Sequence, residues 1–441
     1  MTEHTYMYFY FKKLFQSWFQ SEIYLDHAST TPINHRVFSV MKQVYKNTYG
    51  NSGGMYNLAT RTQELINNAR KKIATLLGAQ SSQVIFSRGG TEANNLAIIG
   101  VVNHFKKNNP TITPHIITSV IEHDSVLEIC KHLEETHQAT ISYISCNADG
   151  IIEVTDIKKQ LRPETILISI MYANNEIGTI QPIKEIAKLV RWWKKQTLNT
   201  APLSPFENSP KRGSHISYYP LFHTDAIQAV NYCDMNVLRL GVDMMTISGS
   251  KIYGPKSIGA LFVKNKNLID PILFGGGQES GLRSGTEDTA MIVGFAKALE
   301  ISQEIKESEI IRLQKIQRYL ITELLKDERV TLNGSQNDRL PNNINITVAG
   351  FSGESLVIQL AAHGFAVSSK SACQSDNDEE SHVIAALRNA QTTSSGFQPP
   401  SPKLGEGNYN TEEGSLRITL GRGINKRYIK KFLKTFWKII K

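Results

Sequence analysis

The stretch MMTISGSKIYGPKSIGALFV, residues 244–263, reads as a strand, a tight polar turn and a second strand. The apolar runs MMTIS (244–248) and GALFV (259–263) have strand length, and the Gly, Ser and Pro between them break any periodicity. One lysine, Lys251, sits at the start of that turn among small residues. A solvated lysine needs no such setting. A lysine that must bond covalently to a flat cofactor, with a phosphate close by, does.

Outward from this stretch, further short β-branched runs occur: QVIFS (83–87), HIITSV (115–120), TILISIMY (165–172) and LFHTD (221–225). Amphipathic segments such as TQELINNARKKIATLLG, from Thr62, lie between several of them. Strands alternating with helices predict an α/β fold with a mostly parallel sheet. Such sheets bind ligands at the carboxyl ends of their strands. From about residue 300 the pattern changes: ISQEIKESEIIRLQKIQRYLITELLKD predicts a long helix leading into shorter elements, and a second, smaller domain is expected there. Two segments rich in Ser, Pro, Asn and Gly, 197–219 and 390–413, read as inserted surface loops. No internal repeat is evident.

The bulk numbers narrow the class. With 441 residues and 40% hydrophobic content, the chain can bury a large core. Its four cysteines, Cys130, Cys146, Cys233 and Cys373, form no CxxC pair, so neither a zinc site nor a disulfide framework is expected. That usage fits free thiols in a reducing, cytoplasmic setting. The net charge is +9, but much of the excess lies near the C-terminus and reads as a local basic surface, not as a nucleic-acid footprint. No run reaches the roughly 18–20 apolar residues of a membrane span. The first twenty residues, MTEHTYMYFYFKKLFQSWFQ, make a poor signal or transit peptide: Glu3 precedes the apolar part and no small-residue cleavage site follows. They are expected to pack on the surface as an extension.

Polar clusters follow the strand-like runs. In SRGGTEANNLAIIG (87–100), two glycines precede a helix opened by Thr91, and the exposed N–H groups there suit a phosphate. Alone, this is equally an ordinary helix cap. His123 stands just past a second run, and a lone histidine there is more often structural. Asn174, Asn175 and Glu176 follow a third run; His223, Asp225 and Gln228 accompany a fourth. Asp225 ends a strand that should be buried, so its carboxylate needs a partner, and a protonated pyridine nitrogen would be one. Five clusters at five strand ends describe a pyridoxal phosphate site far better than any one of them does.

The motifs GGTEANNLAI, NNEIGTIQPI, SGSKIYGPKSIGALFV, GGGQESGLRSGT and SSKSACQS resemble, as a set, those of the cysteine desulfurases of the NifS/IscS type, in the class-V aminotransferase group. The resemblance runs from YLDHASTTPINHRV (24–37) to the C-terminus and is broken by the two insertions. It implies a fold-type-I pyridoxal 5'-phosphate enzyme, with a large domain built on a seven-stranded, mostly parallel sheet and a smaller α/β domain. Residues 1–21 would be an extension, 34–303 the large domain, and 22–33 with 304–441 the small domain carrying a catalytic cysteine loop.

The same resemblance assigns roles. Lys251 would carry the Schiff base, Asp225 would pair with the pyridinium nitrogen, and Gln228 would bond the ring hydroxyl. His123 would stack on the ring and act as acid and base. Gly90, Thr91, Ser248 and Ser250 would hold the phosphate, with Thr286 reaching in from the other subunit of a homodimer. Asn175 and Arg417 would bind the substrate carboxylate, and Cys373 would be the nucleophile that takes sulfur from L-cysteine. The implied acceptor is a sulfur-accepting or iron–sulfur scaffold protein. Three departures stand out: Ser250 where the family has histidine, Lys370 where it has glycine, and the 390–413 insertion between the cysteine loop and Arg417. A selenocysteine lyase or transaminase is disfavoured because SSKSACQS retains its cysteine, and a degenerate non-catalytic homologue because Lys251, Asp225, His123 and Cys373 are all present.

At the C-terminus, Ile429, Phe432, Leu433, Phe436, Trp437 and Ile440 fall on one face of a predicted helix, with Lys430, Lys431, Lys434, Lys438 and Lys441 on the rest. The apolar face is expected to pack on the small domain and the lysines to face an acidic partner.

Overall fold

The computed structural model describes residues 22–200, 219–369, 381–394 and 414–441. The N-terminal extension, most of both insertions, and the segment containing Lys370 and Cys373 lie outside the described residues. The elements run β1 (Ile23–Tyr24), α1 (His35–Asn47), α2 (Asn57–Leu77), β2 (Val84–Ser87), α3 (Gly90–Asn108), β3 (His115–Ser119), α4 (Asp124–Glu135), β4 (Thr140–Ile144), α5 (Val154–Gln160), β5 (Thr165–Ser169) and α6 (Ile183–Thr200). They continue with β6 (Leu221–Asp225), α7 (Val237–Leu240), β7 (Met244–Ser248), β8 (Gly259–Val263), α8 (Thr289–Leu324), β9 (Val330–Leu332), β10 (Asn343–Val348), α9 (Gly353–Ala362), β11 (Phe365–Ala366), α10 (His382–Ser394), β12 (Ser415–Thr419) and α11 (Lys426–Ile439).

Seven strands form one sheet in the order β2-β8-β7-β6-β5-β3-β4. All neighbours pair in parallel except β8, which runs antiparallel between β7 and β2. Successive residues of a strand point to opposite faces. Ile116, Leu221 and Met244 accordingly enter one core with Leu96, Val101, Ile129 and Leu133 of α3 and α4. Ile117, Phe222 and Met245 enter the other, with Ile66 and Ile73 of α2, Ile186 of α6, and Phe295 and Leu299 of α8. Burial on both faces is why these strands read as continuous apolar runs. β4 is one of the two edge strands and is only partly buried; its sequence TISYI carried no such signal.

A third core joins the second half of α8 (Leu313, Leu320, Leu324) to β10, β12 and α11. Here β10 lies between β9 and β12, antiparallel to both. The short strand β1 pairs in parallel with β11, which brings residues 23–25 into this core. Helix α8 spans both bodies. It starts at Thr289, earlier than the helix predicted from residue 301, because Asp288 caps it by accepting from the Met291 N–H. Its first turns, TAMIVGFAKALE, are buried almost all round and so show little amphipathic period. The α11 face is as expected: Ile429, Phe432, Leu433 and Phe436 are buried, while the five lysines are exposed. Among the described residues no helix is long and apolar enough to cross a membrane.

Candidate functional site

Parallel strands deliver the residues that follow them to one edge of the sheet. Past β3 comes His123, which caps α4 through its own ring: Nδ1 accepts the Ser125 N–H at 3.0 Å. Asp225 ends β6 and is 6% exposed. Its Oδ1 accepts the Ile227 N–H at 2.9 Å and its Oδ2 accepts from Asn94 Nδ2 at 2.8 Å. Burial pushes its carboxyl up from the ordinary carboxylate range; the Ile227 and Asn94 donors and the nearby charges of His123 and Lys251 oppose that shift. A cation in the pocket would oppose it further.

Lys251 closes a 3-10 turn, 249–251, directly after β7. Its Nζ donates to the Ser29 carbonyl, and its own carbonyl accepts from Asn231 Nδ2 at 2.7 Å. The segment 26–31, from the far N-terminal side of the chain, lines this pocket. Ala28 O accepts from Gln228 Nε2 at 3.0 Å, and Thr31 bonds the Ser250 carbonyl through both its N–H and its hydroxyl. Gln228 thus points at backbone, where the sequence reading gave it a cofactor hydroxyl.

The start of α3 lies beside Ser248. A Cβ built on Gly90 would stand 2.0 Å from Ile227 Cδ1 and 3.9 Å from Ser248 Cβ, so a side chain there would have to displace the end of Ile227. Gly89, at φ +115°, precedes the helix with no side-chain cap, which leaves the first-turn N–H groups without that partner. Ser248 Oγ and Ser250 Oγ stand 3.2 Å apart. A glycine cradle, a helix start and two hydroxyls could hold a phosphate, and Asp225 could hold a cationic ring nitrogen. The residues therefore fit pyridoxal phosphate, and Lys251, directly after β7, is a lysine that could bond it.

Arg417, on β12, is 1% exposed. Its Nη2 donates to Asp26 Oδ1 at 2.8 Å and to Ser29 Oγ at 2.7 Å, and its Nη1 donates to the Asn175 carbonyl at 3.1 Å. The Nε–H is buried without a hydrogen-bond partner among the described residues. Thr286 is exposed and lines a cleft of about 830 Å³ with Ser87, Arg88, Tyr45 and Tyr49; Lys251, Asp225 and His123 do not line it. Cys373 falls outside the described residues. Further along the chain, Ser381 Oγ donates to Glu176 Oε2 at 2.6 Å and His382 Nε2 lies 3.0 Å from the Glu122 carbonyl, next to His123.

The other cysteines are buried and burial raises their thiols, Cys146 to about 11 and Cys233 to about 12, which leaves them protonated and unreactive. His223 is structural: its ring sits between Ser169 Oγ (2.9 Å) and Thr246 Oγ1 (3.0 Å) inside the sheet. Sequence reasoning gave no role to Asp26, Ser29, Thr31, Asn94, Ser125 or Glu122. Asn94 and Asp26 lay in quoted motifs, but only the fold puts them beside Asp225 and Arg417. Burial pushes the Glu122 carboxyl up to about 8.

The aminotransferase class-V family profile matches residues 23–198 and 214–398. The sequence is 40% identical over 426 residues to a cysteine desulfurase IscS of Dictyoglomus turgidum, covering 95% of this chain and 99% of that one. It is 38% identical to a mitochondrial cysteine desulfurase of Arthroderma benhamiae, over 88% of this chain and 71% of the relative. Among solved structures, a NifS-like protein superposes with a TM-score of 0.79 at 27% identity, over 95% of this chain and 99% of that one. SspA in complex with cysteine superposes with a TM-score of 0.68 at 29% identity, over 90% and 98%.

Proposed function

The chain belongs to the aminotransferase class-V family and is a cysteine desulfurase, and on that footing we propose how its residues divide the work. Lys251 makes the covalent link to pyridoxal 5'-phosphate. Asp225 would pair with the ring nitrogen, Gln228 would bond the ring hydroxyl, and His123 would stack on the ring and act as acid and base. Gly90, Thr91, Ser248 and Ser250 hold the phosphate, joined by the partner subunit's Thr286 in a homodimer. Asn175 and Arg417 take the substrate carboxylate. The observation that carries this reading is the meeting of three groups at the carboxyl edge of the sheet: buried Asp225 at the end of β6, His123 joined to it through Asn94 and Ser125, and Lys251 directly after the neighbouring strand β7.

Pyridoxal phosphate, when bound, supplies an electron sink next to the α-carbon of the amino acid. The remaining work belongs to the protein. Asp225, kept ionised by its two donors and a cation, holds positive charge on the ring nitrogen. Arg417, backed by Asp26, fixes the carboxylate and so the bond to be broken. Cys373 acts as a thiolate: its sulfur bonds the substrate sulfur while the substrate's carbon–sulfur bond breaks. The electron pair goes to carbon, which gains a proton to give alanine, and Cys373 keeps the sulfur as a persulfide.

Separate cores support a division into a large domain, 34–303, and a small one, 22–33 with 304–441. Exposed Tyr45 and Tyr49 beside the Thr286 cleft support the homodimer. The exposed lysines of α11 support docking of an acidic sulfur acceptor or iron–sulfur scaffold, and the buried free thiols fit a cytoplasmic setting. The test is direct. Purified protein should be yellow, release alanine from L-cysteine, and after borohydride reduction and peptide mapping carry its adduct on Lys251. An adduct on Lys256, or no alanine, would refute the reading.

A further inference from the structure

A single run of hydrogen bonds joins Asp225 to His123 through two residues that the division of roles above leaves out. Asn94 Nδ2 donates to Asp225 Oδ2 at 2.8 Å and to Ser125 Oγ at 2.9 Å. Ser125 Oγ in turn lies 2.9 Å from His123 Nδ1. Asn94 and Asp225 are buried, and Ser125 is nearly so at 9% exposure.

The direction of each bond follows from what each group can do. An ionised carboxylate only accepts, so the nitrogen of Asn94, and not its oxygen, must face Asp225. That nitrogen has two hydrogens, and the second goes to Ser125 Oγ. Ser125 has then used a lone pair, and its own hydroxyl hydrogen is available to His123 Nδ1. The Ser125 backbone N–H also donates to Nδ1, at 3.0 Å. Two donors converge on Nδ1, so that atom must carry a lone pair, and the proton of the neutral imidazole sits on Nε2. A proton on Nδ1 would oppose both donors and the positive end of α4. The arrangement has a cost. Asn94 Oδ1 is buried with no hydrogen-bond partner among the described residues, and a buried amide that served packing alone would not be expected to orient both hydrogens toward site residues and leave its oxygen unmatched.

We propose that Asn94 and Ser125 are positioning residues of the desulfurase site, which lock Asp225 and His123 into one relative geometry and present His123 to the reacting centre through its Nε2–H. The inference rests on the roles given above to Asp225 and His123. Neither Asn94 nor Ser125 touches the reacting atoms; each acts through its neighbour. Losing the Ser125 hydroxyl removes one of the two Ser125 bonds to the ring and loosens its orientation. Losing Asn94 removes one of the two donors on the Asp225 carboxylate and the donor that holds Ser125 Oγ.

The experiment uses the holoenzyme of Ser125→Ala, Ser125→Thr and Asn94→Ala. Four quantities are read: kcat and KM for L-cysteine, cofactor affinity by titrating apoenzyme with pyridoxal phosphate, and visible circular dichroism of the bound cofactor, which reports how rigidly the ring is held. Ser125→Ala should lower kcat about tenfold or more, as a loosened proton-handling group does, with KM and cofactor affinity near wild type and a weaker dichroic band. Ser125→Thr, which keeps the hydroxyl, should restore both kcat and the band. Asn94→Ala should do what Ser125→Ala does and also weaken cofactor binding about tenfold, the loss of one hydrogen bond to a charged group. Wild-type kcat and an unchanged band in Ser125→Ala would overturn the proposal. So would a loss that Ser125→Thr fails to restore while thermal stability is unchanged, because the hydroxyl would then not be what matters. If the wild type binds cofactor but releases no alanine, the functional reading falls by itself; the dichroism and affinity comparisons still decide whether Asn94 and Ser125 position the ring.

Discussion

Arg417→Ala tests the substrate end of the site. A guanidinium has five N–H donors. Three are committed in the structure: both Nη2 hydrogens, to Asp26 and Ser29, and one Nη1 hydrogen, to the Asn175 carbonyl. That leaves the buried Nε–H and one Nη1–H, which leave the planar group from different edges, so a bidentate grip on a carboxylate takes one Nη2–H back from Ser29 to pair with one of them. Charge-assisted hydrogen bonds are worth roughly 1.5–3 kcal/mol each, so losing two should cost about 3 kcal/mol or more in transition-state binding. At about 1.4 kcal/mol per decade, kcat/KM for L-cysteine should fall at least about 10²-fold. The loss should fall mainly on KM, because the carboxylate is held throughout. Cofactor content should stay near wild type. The assay is alanine release across a range of cysteine concentrations, with cofactor absorbance measured on the same samples. Arg417→Lys, which keeps the charge without the fork, should fall between the two. A KM within threefold of wild type in Arg417→Ala would refute the assignment and leave Arg417 as a structural partner of Asp26. A control separates the two roles: Asp26→Ala leaves a buried guanidinium unpaired and should destabilise the fold by about 3 kcal/mol in urea unfolding.

Cys373→Ser should keep the cofactor spectrum and lose persulfide formation; turnover near the wild-type rate would show that another group takes the sulfur. Acid should unfold the protein through two histidines that the sheet keeps neutral. Burial lowers His115 to about 4 and His223 to about 3. Between pH 6.5 and those values the unfolded chain binds protons that the native one does not, so stability falls as pH falls, by on the order of 1 kcal/mol per pH unit for each. Glu122, raised to about 8, and Asp225, also raised by burial, work in the opposite sense and offset part of it, while His27, lowered by burial, adds to the histidines' side. Urea midpoints at pH 6.5 and 4.5 should therefore separate, and His223→Gln should narrow the gap; an unchanged gap would put the acid sensitivity elsewhere. Reversing Lys434, Lys438 and Lys441 to glutamate should preserve folding and sulfide release to a small thiol, because the buried face of α11 is untouched. It should weaken salt-sensitive binding of an acidic scaffold, and unchanged binding at low salt would remove that docking role.

Local sequence determined most of the frame. MMTIS and GALFV coincide with β7 and β8, because strands buried on both faces are largely apolar, and LFHTD coincides with β6, whose buried polar residues must find partners inside the sheet. Lys251, Asp225 and His123 could be picked out because each follows such a run, and a parallel sheet turns that sequential habit into a shared edge. The α11 face was legible because its helix has one wet side. The half-exposed edge strand β4 and the buried first turns of α8 lacked those contrasts, and so they escaped. What only the tertiary structure decided is pairing at long range. Arg417 meets Asp26 across 391 positions, and Asn94 meets Asp225 across 131 and Ser125 across 31. No local period or propensity encodes such meetings. They arise because β1 adds to β11 and because α3 crosses the sheet beside α4 and β6, so that polar groups excluded from water must find one another there.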